Sequence, residues 1–489
     1  MTNAATDTYD VIVIGGGPPG ENAAQYAIKG SRRTAAIVEH ELLGGECSFW
    51  ACMPSKALLR PADVLAAAKA MPGVREIVGE ARLDVPAVLE RRDSFTHNRD
   101  DSSQVEWATN NNIDVVRGRG RLAGPRTVEV VDSEDTVVRT LHARSAIVLA
   151  TGTTAAIPAV PGLREALPWT SRDVTNLRVV PRRVAVLGGG VVACESATWL
   201  RALGVEELTI IERGDALLAK NEPFAGDLVR KHFERAGITV LTGATVEEVS
   251  RPDARATGYG QIHGGPVQIR VDAQTVTVDE IVVAAGRTPA SEGIGLESVG
   301  LDVSGSHGFV EVDDHLSVAG VDGEWLYAIG DVTGRALLTH MGKYQARIAG
   351  WVIGARAEGR PLTGPRFSDQ ADHDMVPQVT FTDPEVASVG LTEAAARAKG
   401  VDVEVVEYDL AALAGTALLR DDYEGRAKLV IDRASDVIIG ATFAGPEVAE
   451  LVHAATVAVV GRVPMETLWH AVPSYPTASE IWLRLLEAR

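Results

Sequence analysis

Cysteine is scarce in this chain, with three residues in 489, at positions 47, 52 and 194. That excludes a secreted disulfide scaffold, and it makes two cysteines lying close together a sign of chemistry rather than bracing. Basic charge is also short: Lys+Arg total 47 against 66 Asp+Glu, a net charge of −19, and no run of basic residues stands out. A nucleic-acid backbone would find little counter-charge here, which argues against such a partner. Long apolar runs are missing, since no stretch of about 18 uninterrupted apolar residues occurs. The opening MTNAATDTYD has neither a cationic nor an apolar leader segment. The expectation is a cytoplasmic protein without membrane insertion. No second Cys or His cluster has metal-ligand spacing, so no metal centre is expected.

Glycine is plentiful, at 48 residues, and apolar residues make up 46% of the chain against only 5% aromatic. That composition suits α/β architecture, in which Gly-rich turns join buried aliphatic strands to helices. The length suggests about three domains.

The chain opens with an apolar run, Asp10 to Ile14, then GGGPPG at Gly15 to Gly20, then an Ala-rich helical stretch, Asn22 to Ile28. Thr34 to Val38 follows as a second parallel strand and ends on Glu39, about twenty residues beyond the turn, as dinucleotide binding requires. Gly15 permits a tight turn, Gly17 a close approach to a pyrophosphate, and Gly20 close helix packing. The helix N-terminus supplies amides and partial positive charge. The pattern repeats at Arg183 to Leu187, with Gly188, Gly190 and Ala193 in the turn positions and Glu212 closing the second strand. Ala193 stands where the third glycine would be, a substitution small enough to be tolerated. Two nucleotide pockets are therefore expected. Glu212 favours a free ribose 2′-hydroxyl, hence NADH, while Arg213 beside it leaves NADPH open.

Between and beyond these units lie an Ala/Leu-rich helix at 57–70, a polar stretch at 91–112 with few apolar anchors and no motif, and a β-rich segment up to Ala150. The Pro/Gly-rich residues 360–366 read as a linker. After it, strand-like alternation at 378–390 and 426–442 and helical patterns at 392–399, 447–459 and 478–486 suggest a separate α+β domain.

The sharpest feature is GGECSFWACMPSK, Gly44 to Lys56. In an ideal helix, residues five apart sit about 140° round the axis and about 7.5 Å along it. That exceeds the roughly 4.4–6.8 Å Cα separation of a disulfide, so an irregular backbone is expected between Cys47 and Cys52. Gly44 and Gly45 can provide the irregular entry, and Pro54 removes a backbone donor just beyond the pair. A helix N-terminus would favour a thiolate. Read from the residues alone, an inert buried pair or half a metal site stays open beside a redox pair.

Taken together, these segments resemble the flavoprotein pyridine nucleotide-disulfide oxidoreductases, the family of dihydrolipoamide dehydrogenase, glutathione reductase and mercuric reductase. The resemblance spans nearly the whole chain. It implies two Rossmann-type domains, for FAD and NAD(P), and a C-terminal α+β dimerisation domain. The division would be 1–155 and 286–358 for FAD, 156–285 for NAD(P), and 366–489 for dimerisation. In the family's GGxCxxxxCxPSK segment, Cys47 would be the interchange thiol and Cys52 the charge-transfer thiol. Lys56 would lie near the flavin, paired with Glu195. FAD would be held by Gly15, Gly17, Gly20, Glu39, Gly45, Lys56, Thr151, Gly152, Gly330 and Asp331. NAD(P) would be held by Gly188, Gly190, Ala193, Glu195, Glu212 and Gly286. Gly286-Arg287 matches the family's GRxP segment, and Pro377 to Thr392 resembles the opening of its dimerisation domain.

One departure stands out. Disulfide reductases of this family end on a His-Pro-Thr segment whose imidazole serves the interchange thiol of the partner subunit, followed by a Glu. Here the residues are Tyr475-Pro476-Thr477 and Glu480, and a phenol, with a reference pKa near about 10, cannot relay protons at neutral pH as His does. His470 is a possible substitute. Mercuric reductase also carries Tyr there but relies on a C-terminal cysteine pair, which Leu485 to Arg489 does not contain. The expectation is a homodimeric oxidoreductase acting on a small-molecule disulfide. A quinone or soft metal-ion acceptor is the alternative, and a redox sensor with negligible turnover the third reading. Phe49 and Trp50, bulky residues between the cysteines, suit either packing beneath the helix or a flat acceptor. Cys194 reads as a small packing residue.

Overall fold

The computed structural model describes residues 5–489. The first four residues of the MTNAATDTYD segment lie outside the described residues. The chain divides into two compact units, one of Met1–Met53, Asp93–Thr154 and Arg287–His373, the other of Pro54–Arg92, Ala155–Gly286 and Asp374–Arg489.

The first unit is organised by strand β1 (Ala5–Ile14), helix α1 (Pro18–Ile28) and strand β2 (Ala35–Glu39). β1 pairs in parallel with β2 on one side and with Val137–Leu149 on the other. β2 pairs in parallel with Ile113–Arg117, and Leu326–Ala328 adds in parallel to Val137–Leu149. Two antiparallel strands, Thr127–Val131 and Arg119–Leu122, extend the sheet to seven. Val11, Ile12, Val13 and Ile14 are each at most 3% exposed. Burial on both faces of a parallel sheet explains their unbroken apolar run, each side chain contributing about 2 kcal/mol. β1 starts earlier than the apolar run because the polar Ala5 to Tyr9 segment still finds backbone partners along Arg139 to Ala143.

The second unit repeats the plan. Its parallel sheet runs Ile238–Leu241, Glu207–Ile211, Arg183–Leu187 and Glu280–Val283, flanked by helix Val191–Ala202. A three-stranded antiparallel sheet (Val246–Ser250, Val267–Val271, Gln274–Val278) follows. The C-terminal part is a five-stranded antiparallel sheet centred on Glu385–Gly390, Val437–Gly445 and Arg426–Asp432, with helices Leu451–Val460 and Ile481–Glu487 packed on it through Phe443, Leu429 and Leu485.

The polar stretch 91–112 is not featureless. Helix Val85–Phe95 runs into it and helix Ser102–Asn110 follows. Arg92 is fully buried, donating to the carbonyls of Thr175 at 2.6 Å and Leu177 at 3.1 Å. A buried arginine that satisfies helix-end carbonyls leaves no apolar pattern, so sequence periodicity could not reveal it. Cys194 is fully buried, and burial pushes its thiol up, in keeping with a packing role.

Candidate functional site: a cysteine pair and two nucleotide-type turns

In the first unit, α1 begins at Pro18 with Gly17 in the capping position and no side-chain cap, so its first amides are open to a ligand. Gly15 has φ +102°, and a Cβ there would lie 2.3 Å from the carbonyl oxygen of Ala150. Beside Gly17, by contrast, a Cβ would meet only Pro19 Cδ at 3.8 Å. The turn is thus crowded beneath and open above, as a diphosphate cradle requires. Gly45 lies over it, where an added Cβ would stand 2.7 Å from Gly17 Cα. Glu39 Oε2 accepts from the Gly16 amide at 2.7 Å, and Oε1 from the Glu41 amide at 2.7 Å. Burial opposes its charge, but bonds from His40 and these two amides outweigh it and hold the carboxyl below its usual range.

Thr151 Oγ1 is buried without a hydrogen-bond partner among the described residues, and Gly152 at φ +75° has open space beside it. Asp331 Oδ2 accepts from Thr153 Oγ1 at 2.8 Å. Burial raises the Asp331 carboxyl, against the opposing pull of Thr153 and Arg287. Gly330 is tied by its amide to Gln345 Oε1 at 2.8 Å. The orphaned threonine hydroxyl, the open glycines and the buried carboxyl fit the polar groups of a dinucleotide, so the residues present suit FAD.

The cysteines follow directly. Helix α2 (Gly45–Phe49) carries Cys47, and helix α3 (Cys52–Ala70) begins at Cys52. The irregularity expected between them is a break: Trp50 caps α2 at φ −132°, its amide bonding back to Glu46, before α3 starts afresh. Gly44 at φ +111° and Gly45 at φ +57° supply the left-handed entry. Both cysteines are half-buried, and Cys52 Sγ lies 3.4 Å from Thr339 Oγ1 at the start of helix Thr339–Ala357. Trp50, 4% exposed, packs beneath the segment with the Arg99 guanidinium 5.2 Å from its ring centroid.

In the second unit, Gly188 has φ +115° against Ala284 O, and space beside Gly190 is open. Ala193 is fully buried in helix Val191–Ala202, where the small side chain suits the third turn position. Glu212 Oε1 accepts from the Gly214 amide at 2.5 Å. Lys56 Nζ donates to Glu195 Oε2 at 2.7 Å, and Glu195 Oε1 accepts from the Phe381 amide at 3.0 Å. Gly286 has φ +128° with open space beside it, and its carbonyl accepts from Ala156. Tyr475 is 75% exposed and its neighbour His470 is also exposed, whereas Glu480 is buried and paired with Arg484 at 2.7 Å.

Sequence reasoning overlooked Thr339, Phe381 and Gln345, each brought in by the fold from far along the chain with no local motif to mark it. It noted Arg287 only as part of a pattern. Among the described residues, no group of three or more His, Cys, Asp or Glu side chains is placed to hold a metal ion, and no helix is long and apolar enough to cross a membrane.

Comparison with known proteins agrees with this architecture. Residues 9–351 match the family described as pyridine nucleotide-disulphide oxidoreductase, and residues 376–485 match that family's dimerisation domain. The dihydrolipoyl dehydrogenase of Chlorobaculum tepidum is 33% identical over 475 residues, covering 96% of this chain and 95% of that protein. That of Chlamydia muridarum is 30% identical over 479 residues, covering 97% and 96%. The mercuric reductase of Staphylococcus aureus is 28% identical over 474 residues, covering 96% of this chain and 81% of that enzyme. Among solved structures, the HOCl-induced flavoprotein disulfide reductase RclA of Escherichia coli, as a Cu(II) complex, superposes with TM-score 0.80 at 24% identity, covering 98% of this chain and 99% of that one. LpdA of Mycobacterium tuberculosis superposes with TM-score 0.81 at 22% identity, covering 98% and 99%. These two likenesses carry the fold. With the Gly-rich turns, the cysteine segment and the dimerisation domain in place, the chain belongs to the pyridine nucleotide-disulphide oxidoreductases, FAD-dependent enzymes that draw electrons from NAD(P)H to reduce disulfides.

Proposed function

We propose that Cys47 and Cys52 are the redox pair of this enzyme and that its acceptor is a small-molecule disulfide of the lipoamide type. The observation that supports this most is the helix break at Trp50 and Ala51, which frees the two cysteines from the helical spacing that would forbid a disulfide. Bound FAD would supply two-electron transfer between the nicotinamide and the cysteine pair. The chain's own residues then do the rest. Two electrons and two protons open the Cys47–Cys52 disulfide. Cys47, as thiolate, attacks one sulfur of the acceptor and releases its other sulfur as thiolate. Cys52 displaces the bound sulfur from Cys47, freeing the second thiolate and closing the pair again, and the two departing sulfurs take up the two protons. Lys56, paired with Glu195, presents a cation for the flavin and nicotinamide region. Gly15, Gly17, Gly20, Glu39, Gly45, Thr151, Gly152, Gly330 and Asp331 hold FAD. Gly188, Gly190, Ala193, Glu212 and Gly286 hold the nicotinamide nucleotide, with NADH preferred because the Glu212 carboxylate would repel a 2′-phosphate.

The domain division is 1–155 and 286–358 for FAD, 156–285 for the nicotinamide nucleotide and 366–489 for dimerisation. The enzyme works as a cytoplasmic homodimer. Val457, Val460, Trp469, Val472 and Tyr475 are all exposed within the dimerisation domain, a set of apolar side chains that a second copy would cover.

Tyr475 favours a second reading. Without an imidazole to protonate the leaving thiolate, electrons can leave more readily to an acceptor that needs no such relay, a quinone or a soft metal ion. An anaerobic reductive titration of the yellow holoenzyme tests the first reading. Uptake of about four electrons per subunit, with a long-wavelength band from a thiolate beside the flavin at the halfway point, supports it. Uptake of two electrons with only flavin bleaching, in protein whose cysteines were oxidised at the start, removes the pair from the mechanism and leaves the quinone reading.

A further inference from the structure

Glu46 stands between Gly45 and Cys47 in the first turn of α2, a position that the GGxCxxxxCxPSK pattern leaves open. Its Oε2 accepts from Arg287 Nη2 at 2.8 Å, and the two side chains are only 24% and 22% exposed. The guanidinium is fastened from other directions as well. Arg287 Nε donates to Thr153 Oγ1 at 2.8 Å, and Nη2 also donates to the Thr153 carbonyl at 2.6 Å. Thr153 Oγ1 in turn donates to Asp331 Oδ2 at 2.8 Å. A carboxylate directly before one cysteine is therefore matched by a cation that cannot drift away from it.

We propose that Glu46 and Arg287 form a charge-balancing pair that sets the redox poise of the Cys47–Cys52 couple. This rests on the assignment of those two cysteines as the redox pair. Both are positioning residues that act through Cys47. The disulfide is neutral, whereas the reduced pair carries negative charge once a thiol ionises, so the couple feels any fixed charge beside it. Glu46 alone would disfavour the reduced form and Arg287 alone would favour it. Held 2.8 Å apart they nearly cancel. Removing one member should therefore shift the couple with a sign opposite to removing the other, which a merely structural tie would not do.

The exchange to measure is enzyme disulfide plus reduced dithiothreitol giving enzyme dithiol plus cyclic oxidised dithiothreitol, with two electrons and two protons transferred and nothing else consumed. Holoenzyme is equilibrated anaerobically in graded dithiothreitol buffers and quenched in acid. The thiols of Cys47 and Cys52 are then labelled and counted by mass spectrometry. In E46Q the equilibrium constant should move toward dithiol, and in R287M toward disulfide, each by about threefold to tenfold, tenfold being about 30 mV for a two-electron couple. The E46Q/R287M double variant should return near the parent value, and R287K and E46D should hold it. Shifts of the same sign in both single variants, or no shift in either, overturn the proposal. If R287M does not fold, E46Q against E46D decides alone, by a shift toward dithiol in the first only. Cysteines that fail to interconvert in the parent protein remove the underlying redox assignment instead, so the two failures are told apart.

Discussion

Lys56 Nζ lies 2.7 Å from Glu195 Oε2, and the Phe381 ring sits beneath the same ammonium at 4.9 Å from its centroid. Glu195 is only 5% exposed in its side chain, and this cation and the Phe381 amide are its hydrogen-bond partners. Lys56→Met should leave a buried carboxylate without its counter-ion and destabilise the second unit by about 2 kcal/mol. That is less than the 3–5 of a fully enclosed pair, because Lys56 itself is 37% exposed. Glu195→Gln, which keeps an oxygen for the Phe381 amide, should cost less than half as much. Urea unfolding of the two variants checks this, and equal losses would mean that the ion pair carries no special weight.

Tyr475 is 75% exposed within its own chain, so Tyr475→His should leave the stability of the single subunit's fold within about 0.5 kcal/mol. If the missing imidazole is what limits disulfide turnover, the variant should reduce lipoamide at least about tenfold faster, since general acid–base groups contribute about 10²–10⁴. Quinone reduction should stay unchanged. Steady-state rates with both acceptors separate these outcomes, and an unchanged lipoamide rate would place the limitation elsewhere.

Asp63 in α3 has its carboxyl pushed up to about 7, first by burial and then by the Glu385 and Asp383 carboxylates, with Arg60 opposing and Glu195 adding a smaller push. In the unfolded chain it would titrate near about 3.9. A carboxyl raised on folding contributes stability that is full below the unfolded value and lost as pH rises through the folded one. The melting temperature should therefore carry a decline between about pH 4 and pH 8 that Asp63→Asn flattens, the variant being the more stable protein at pH 8. Melting curves across that range test it, and an identical pH profile in the variant would show that Asp63 does not titrate there.

The motifs read from the residues alone, without the family resemblance, share one property: their neighbours in space are also their neighbours in sequence. Gly15 to Gly20 with β1 and α1, Gly188 to Ala193 with its strand and helix, and Gly44 to Lys56 each form a local unit whose geometry follows from turn and helix preferences. Even the break between Cys47 and Cys52 was legible, because helical spacing and disulfide length are incompatible. The helix at 85–95 was not, because Arg92 is held by carbonyls rather than by an apolar face.

The sequence by itself determined the fold class, the two nucleotide-type turns, the presence of a cysteine pair and the absence of the usual histidine at Tyr475. Local dihedral preference and hydrophobic periodicity are enough for those. Only the tertiary structure decided which side chains surround the pair. Thr339 reaches Cys52 across 287 positions of chain and Arg287 reaches Glu46 across 241, whereas the Lys56–Glu195 pair, 139 positions apart, was expected from the family resemblance. Such contacts depend on how sheets and helices pack after the local units have formed, and no pattern within a short window encodes them.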